Sequence, residues 1–242
     1  MYEFLNNCFM KGPMSSTHTN TLYLVRHGEN LANITKEFSY KHVDYSLTPK
    51  GVLQAEQTAE FLKNTALDAI YASPLKRARE TGEIIAVPHG LPVTLLEEFR
   101  EVNVGNLELM PPTETTWRIH DQIVAEWIAG NVEARFLGGE NFLELVERSR
   151  RGLLEVTRGR ASQRIAVAAH GGILTALVRN VCLEDSEEIT HTGMHNCAIT
   201  EIELTTSDNE IVSGTLRGWA CVTHLSGEAA ALVSPVLEYE KA

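Results

Sequence analysis

The run Arg164-Ile165-Ala166-Val167-Ala168-Ala169, stopped by His170-Gly171-Gly172, limits the architecture of this chain more than any other feature. A stretch this short and this uniformly apolar has no wet face to present. It predicts a strand buried on both sides, the central strand of a parallel sheet, with a helix after the glycine pair through about residue 181.

The same alternation recurs along the chain. Leu22-Tyr23-Leu24-Val25 predicts a strand, and Thr48-Pro49 opens a helix whose face is marked by Val52, Ala55, Ala59 and Leu62. Residues 68–72 read as a second strand, and Ser73-Pro74 reads as an N-cap and first-turn proline launching a helix through about residue 85. Residues 92–96 predict a third strand. Residues 113–129 and 141–156 predict two helices, the second burying Phe142, Leu145, Val146 and Leu153. Residues 198–204 and 210–215 alternate as a terminal pair of strands. Strands alternating with helices predict an α/β fold of three layers, α/β/α, around a mostly parallel central sheet. The expected organisation is a flexible N-terminal segment over residues 1–20, with Met14 as an alternative start. One α/β domain follows over 21–242, with a helical cap insertion at about 109–160.

A chain of 242 residues can bury roughly 70–75% of its unfolded surface and needs neither disulfide nor metal to hold it. Cys8, Cys182, Cys197 and Cys221 are scattered, without a Cys-x-x-Cys pair, which disfavours zinc-ribbon and thioredoxin-like readings and points to reduced thiols in the cytoplasm. The first twenty residues lack a basic stretch followed by an apolar one, and the run 165–178 is interrupted and too short to span a bilayer. A soluble, cytoplasmic protein is expected, with no membrane partner. Lys and Arg number 21 against 32 Asp and Glu, a net charge of −11. That balance disfavours nucleic-acid binding, so an anionic ligand needs a local nest of positive groups.

Three predicted strand exits supply one. The first carries Arg26-His27-Gly28-Glu29-Asn30, with Asn33 beyond; the second Ser73-Pro74-Leu75-Lys76-Arg77; the third His170-Gly171-Gly172. In open α/β sheets ligands bind at the carboxyl edge. Two histidines, two arginines and two helix N-termini converging there make a site for a dianion such as phosphate. Each residue alone has a plain structural reading; the joint placement does not. A dinucleotide-binding reading lacks a Gly-x-Gly-x-x-Gly turn after the first strand.

Four ordered stretches resemble the histidine phosphatase superfamily, which includes cofactor-dependent phosphoglycerate mutases and small-molecule phosphatases. They are Leu24-Val25-Arg26-His27-Gly28-Glu29, Leu47-Thr48-Pro49-Lys50-Gly51 with Gln54-Ala55, Ser73 through Thr81, and Ala169-His170-Gly171-Gly172. The resemblance spans roughly residues 21–225 and extends to Thr223-His224-Leu225. It implies that His27 is the nucleophile forming a phosphohistidine, and that Arg26, Arg77 and His170, with Asn33 and Gly171, form the phosphate pocket. It places the general acid at Glu101, in Phe99-Arg100-Glu101-Val102-Asn103-Val104-Gly105-Asn106-Leu107-Glu108, where Leu107 and Leu109 depart from the family's tryptophan and glycine. Glu97, Glu98 and Glu108 are neighbouring alternatives.

The resemblance further implies a small phosphorylated metabolite as partner, no cofactor and no metal; a homodimer is left open. The span from Glu101 to His170 is short for a mutase, and the segment after Glu108, residues 109–118, holds no paired arginines, which favours hydrolysis. Arg118 and Arg135 are candidates for a second anion contact, each read first as a surface charge. Mutase-type phosphotransfer is the alternative, and a non-catalytic phospho-ligand or protein-binding relative a third reading. Met110, Trp117, His120, Ile123 and Trp127 read first as a buried helix face. The other reading makes them a partly apolar cavity for an alcohol less polar than glycerate.

Overall fold

The computed structural model describes residues 16–182, 189, 193–207 and 210–234. Its six-stranded sheet comprises β1 (His18–Arg26), β2 (Ala69–Ala72), β3 (Val93–Leu95), β4 (Arg164–Ala169), β5 (Ile199–Ser207) and β6 (Glu210–Cys221). The strand order is β3-β2-β4-β1-β5-β6. The first four strands run parallel, with Leu24 opposite Val167 and Tyr71 opposite the same residue, while β5 and β6 are antiparallel. The α/β expectation holds, in a mixed sheet. After its first residue β4 is buried at every position, as its composition demands.

The expected N-terminal segment lies outside the described residues up to position 15. Its last three residues, His18 to Asn20, are sheet, because they pair with Thr206, Thr205 and Leu204 on β5. The expected strand at 210–215 is extended by half its observed length. β6 continues to Cys221 along the sheet edge, exposed at half its positions, and carries register shifts against β5.

Helices α1 (Leu31–Thr35), α2 (Pro49–Leu62), α3 (Lys76–Ala86), α4 (Glu114–Ile128), α5 (Phe142–Thr157) and α6 (Gly171–Val181) connect the strands. Thr48, Thr113 and Asn141 cap α2, α4 and α5 by accepting from the backbone N–H three residues on, which is why these starts are legible in the sequence. Ser73 does not cap α3. Pro74 sits too early, Leu75 takes the cap position, and the Lys76 amide donates to Asp44 Oδ1 at 2.9 Å. Of the expected cap insertion, α4 buries only Thr116, Trp117 and Trp127. Helix α5 instead buries Leu145, Leu153 and Val156 in the main core and packs against α6. No helix among the described residues is long and apolar enough to cross a membrane.

Candidate active site

The site forms where β1, β2 and β4 end side by side. Gly28 can follow His27 only because it has no side chain, since a Cβ there would sit 2.4 Å from the Gly51 carbonyl oxygen. Gly51 in turn would meet the Glu29 carbonyl at 2.0 Å. The stretch from Thr48 to Gln54 clamps this exit. Thr48 Oγ1 and Lys50 Nζ hold the two oxygens of Glu29 at 2.8 and 2.5 Å, and Gln54 Oε1 accepts from the Glu29 amide at 2.9 Å. The Gly28 amide donates to Thr81 Oγ1 at 3.0 Å.

His27 and His170 face one another with ring centroids 5.2 Å apart, both buried. The Nδ1 of His27 lies 2.8 Å from the Gly28 carbonyl oxygen, which can only accept, so the ring proton sits on Nδ1 and Nε2 carries the lone pair. That lone pair accepts from Arg77 Nε at 3.1 Å. Arg77 is held by Ser39, donating to its hydroxyl and its carbonyl at 2.8 Å each. Arg26 donates to the Met194 carbonyl, and its buried Nε has no partner among the described residues. His170 Nε2 bonds Ser73 Oγ at 2.8 Å, the role that Ser73 takes in place of capping.

Burial, and then the charges of Arg77 and Arg26, hold the His27 imidazole well below its ordinary pKa. His170 is depressed likewise, by burial and by Arg77. Burial lowers Arg77 to about 10 and also lowers Arg26, with Glu101 opposing both shifts. Two neutral imidazoles beside two desolvated guanidinium groups form a nest suited to a dianion.

Of the four glutamates considered for the acid, only Glu101 lines the cavity above the nest. Its Oε1 accepts from the amides of Val102 and Ile173 at 2.8 and 2.9 Å, and its Oε2 from Gly172 at 3.1 Å. Glu97 is exposed and pairs with Arg100. Glu108 is spent on structure: its Oε1 accepts from the consecutive amides of Tyr40 to Val43. Burial raises its pKa, and the four amides outweigh that and bring the carboxyl below its ordinary value. By fixing that turn, Glu108 fixes Ser39 against Arg77.

The Gly172 and Ile173 amides of α6 serve Glu101, and the first amide of α3 serves Asp44, so side chains supply most of the positive field. Gly171 lines the cavity at the start of α6. Asn33 also lines it. Its carbonyl oxygen is committed to the Asn30 amide and to Asn196 Nδ2, at 3.2 and 2.9 Å, so the donor it has to offer is its amide nitrogen. Asn196, which also donates to the His27 carbonyl at 3.0 Å, and Met194 have no sequence signal that marks them beforehand. His224 lies apart from the nest, bonded to Thr58 and against Phe61. Among the described residues, no group of three or more His, Cys, Asp or Glu is placed to hold a metal ion.

Fold and site together define an α/β protein with paired histidines and paired arginines buried at the carboxyl edge of its sheet. The chain belongs to the histidine phosphatase superfamily (branch 1), whose family model matches residues 22–216. It is 31% identical over 204 residues to a Bacillus subtilis protein named uncharacterized phosphatase PhoE, covering 84% of this chain and 96% of that one. It is 29% identical over 222 residues to an Escherichia fergusonii protein named probable phosphoglycerate mutase GpmB, covering 90% and 97%. In fold it resembles the crystal structure of phosphoglycerate mutase from Bacillus anthracis, with a TM-score of 0.71 at 19% identity over 86% of this chain and 96% of that one.

Proposed function

We propose that this protein hydrolyses the phosphate monoester of a small metabolite through a phosphohistidine on His27, without a metal ion. The carrying observation is the Nε2 lone pair of His27, held toward Arg77 inside a nest completed by Arg26 and His170. A monoester displaces the Arg77 contact, and Nε2 attacks phosphorus as the bond to the ester oxygen breaks. Arg26, Arg77 and His170, with donors from Asn33 and Gly171, stabilise the equatorial oxygens. Glu101 gives a proton to the departing alkoxide from Oε2, the oxygen with a single amide partner. The carboxylate then takes a proton from water as that water attacks phosphorus, and the N–P bond returns its pair to Nε2.

Residues 21–242 act as one unit in this reading, with about 109–160 as its cap, and the thiols of Cys197 and Cys221 support a cytoplasmic setting. The mutase alternative is favoured by the relative bearing that name, but it needs a second anion contact. Arg118 pairs with Glu114 and Arg135 with Glu144, and neither arginine lines the cavity. Lys36, which does, donates to the Ser234 carbonyl at 2.5 Å.

The test is turnover of para-nitrophenyl phosphate with a chelator present. The wild type should be active, and His27→Ala should lose on the order of 10³-fold or more in kcat/KM. Undiminished activity of that variant excludes His27 as nucleophile. Bisphosphate-stimulated interconversion of 2- and 3-phosphoglycerate, outpacing hydrolysis, would favour the mutase.

A further inference from the structure

The geometry points to an apolar alcohol as the leaving half of the substrate, a ring or an extended or branched hydrocarbon received in the cavity beneath α4. This inference rests on the phosphatase reading above. The cavity holds about 350 Å³, of the size that small-molecule sites occupy. Beyond the nest its walls include Phe38, Val104, Trp117, Val124, Trp127 and Leu145.

Both indoles have already spent their one polar atom. Trp117 Nε1 donates to the Lys36 carbonyl at 3.0 Å and Trp127 Nε1 to the Ala134 carbonyl at 2.7 Å, so each offers only its carbon face.

The polar side chains of the same walls are engaged as well. Glu37 accepts from Thr35 at 2.5 Å and from Tyr45 at 3.5 Å, and Thr175 donates to the Gly171 carbonyl at 2.7 Å. His120 bonds Asp121 through Nδ1 at 3.0 Å, and its ring stacks on Phe136 with centroids 5.6 Å apart. Among the described residues, the buried donors without a protein partner that line the cavity are Arg26 Nε and Asn30 Nδ2. Both belong to the exit of β1, where the phosphate goes. A polyol or carboxylate beneath α4 would therefore exchange water for side chains that already have partners, whereas hydrocarbon gains by leaving it.

Ethyl, butyl and hexyl phosphates share nearly the same leaving-group chemistry and differ in apolar length, which makes them a direct test. We expect kcat/KM to rise about tenfold or more from ethyl to hexyl, and Val124→Asn to shrink that ratio. A flat or falling series with measurable turnover overturns the apolar assignment while the phosphatase reading stands. A Val124→Asn ratio equal to the wild-type one also overturns it, because the chain then binds elsewhere. If no ester, para-nitrophenyl phosphate included, is hydrolysed, the phosphatase reading fails. Calorimetry with ethylphosphonate and hexylphosphonate then decides the pocket by itself, with tighter hexyl binding supporting it and equal affinities overturning it.

Discussion

Position 172 carries a hydrogen where any other side chain would displace the proposed acid. A Cβ on Gly172 would lie 2.6 Å from Glu101 Oε1 and 2.8 Å from Val102 Cγ2, while one on Gly171 would meet Arg26 Cδ at 3.5 Å, an ordinary contact. Gly172→Ala should therefore push the carboxylate off the start of α6 and remove the proton donor from the leaving oxygen. We expect kcat/KM for ethyl phosphate to fall about 10²-fold. The loss for para-nitrophenyl phosphate should be smaller, because nitrophenolate departs without a proton. Gly171→Ala should stay within about threefold on both esters by the same reasoning. Equal losses on the two esters for Gly172→Ala would show that Glu101 is not the acid. The histidines and arginines of the nest were legible in the sequence because such residues at three strand exits have no shared packing explanation. Asn196 and Met194 were not legible, because their contribution is a hydrogen bond to the β1 exit from a loop far along the chain, and an ordinary loop asparagine carries no such address.

Helix α5 shows how an element beside the nest holds it in shape. Arg148 donates at 2.8 Å to the carbonyls of Glu98 and Arg100 and at 3.1 Å to that of Glu101, and pairs with Glu140 at 2.7 Å. Glu140 also accepts from the Asn103 amide at 2.8 Å. One guanidinium thus ties the Glu101 segment to a helix whose far face is core. Arg148→Ala leaves three carbonyls and a largely buried carboxylate without their cation. It should cost about 3–5 kcal/mol in urea unfolding, and a loss under about 1 kcal/mol would mean the pair behaves as a surface ion pair. Sequence periodicity located α5 to within a residue, since Asn141 caps it and its apolar positions recur at helical spacing. It did not show what α5 packs on, because periodicity shows that a face is buried without showing what covers it. Helix α1, five residues with only Ala32 buried, is too short to leave a periodic trace.

At the scale of the whole molecule, a chain of net charge −11 keeps its two site histidines neutral by enclosing them with buried cations. His27 and His170 are both held well below the ordinary imidazole pKa, first by burial and then by the adjacent Arg77. In the unfolded chain both recover a value near 6.5. As pH falls below about 6.5 the unfolded state therefore binds protons that the native state refuses, and stability declines. The contribution is fully present above that pH and is lost progressively as pH falls toward the depressed native values. Each histidine adds at most about 1.4 kcal/mol per pH unit to the slope. Urea unfolding from pH 7.5 to 5.5, before most carboxylates titrate, should show stability dropping below about pH 6.5, and the double variant His27→Asn with His170→Asn should flatten the curve there. The acid limb of kcat/KM should correspondingly lie below pH 6.5, because the free nest keeps its nucleophile unprotonated. A double variant with an unchanged slope would mean that these imidazoles titrate as they do in water, and a nest that lets them do so is open to solvent and does not enclose its ligand's charge.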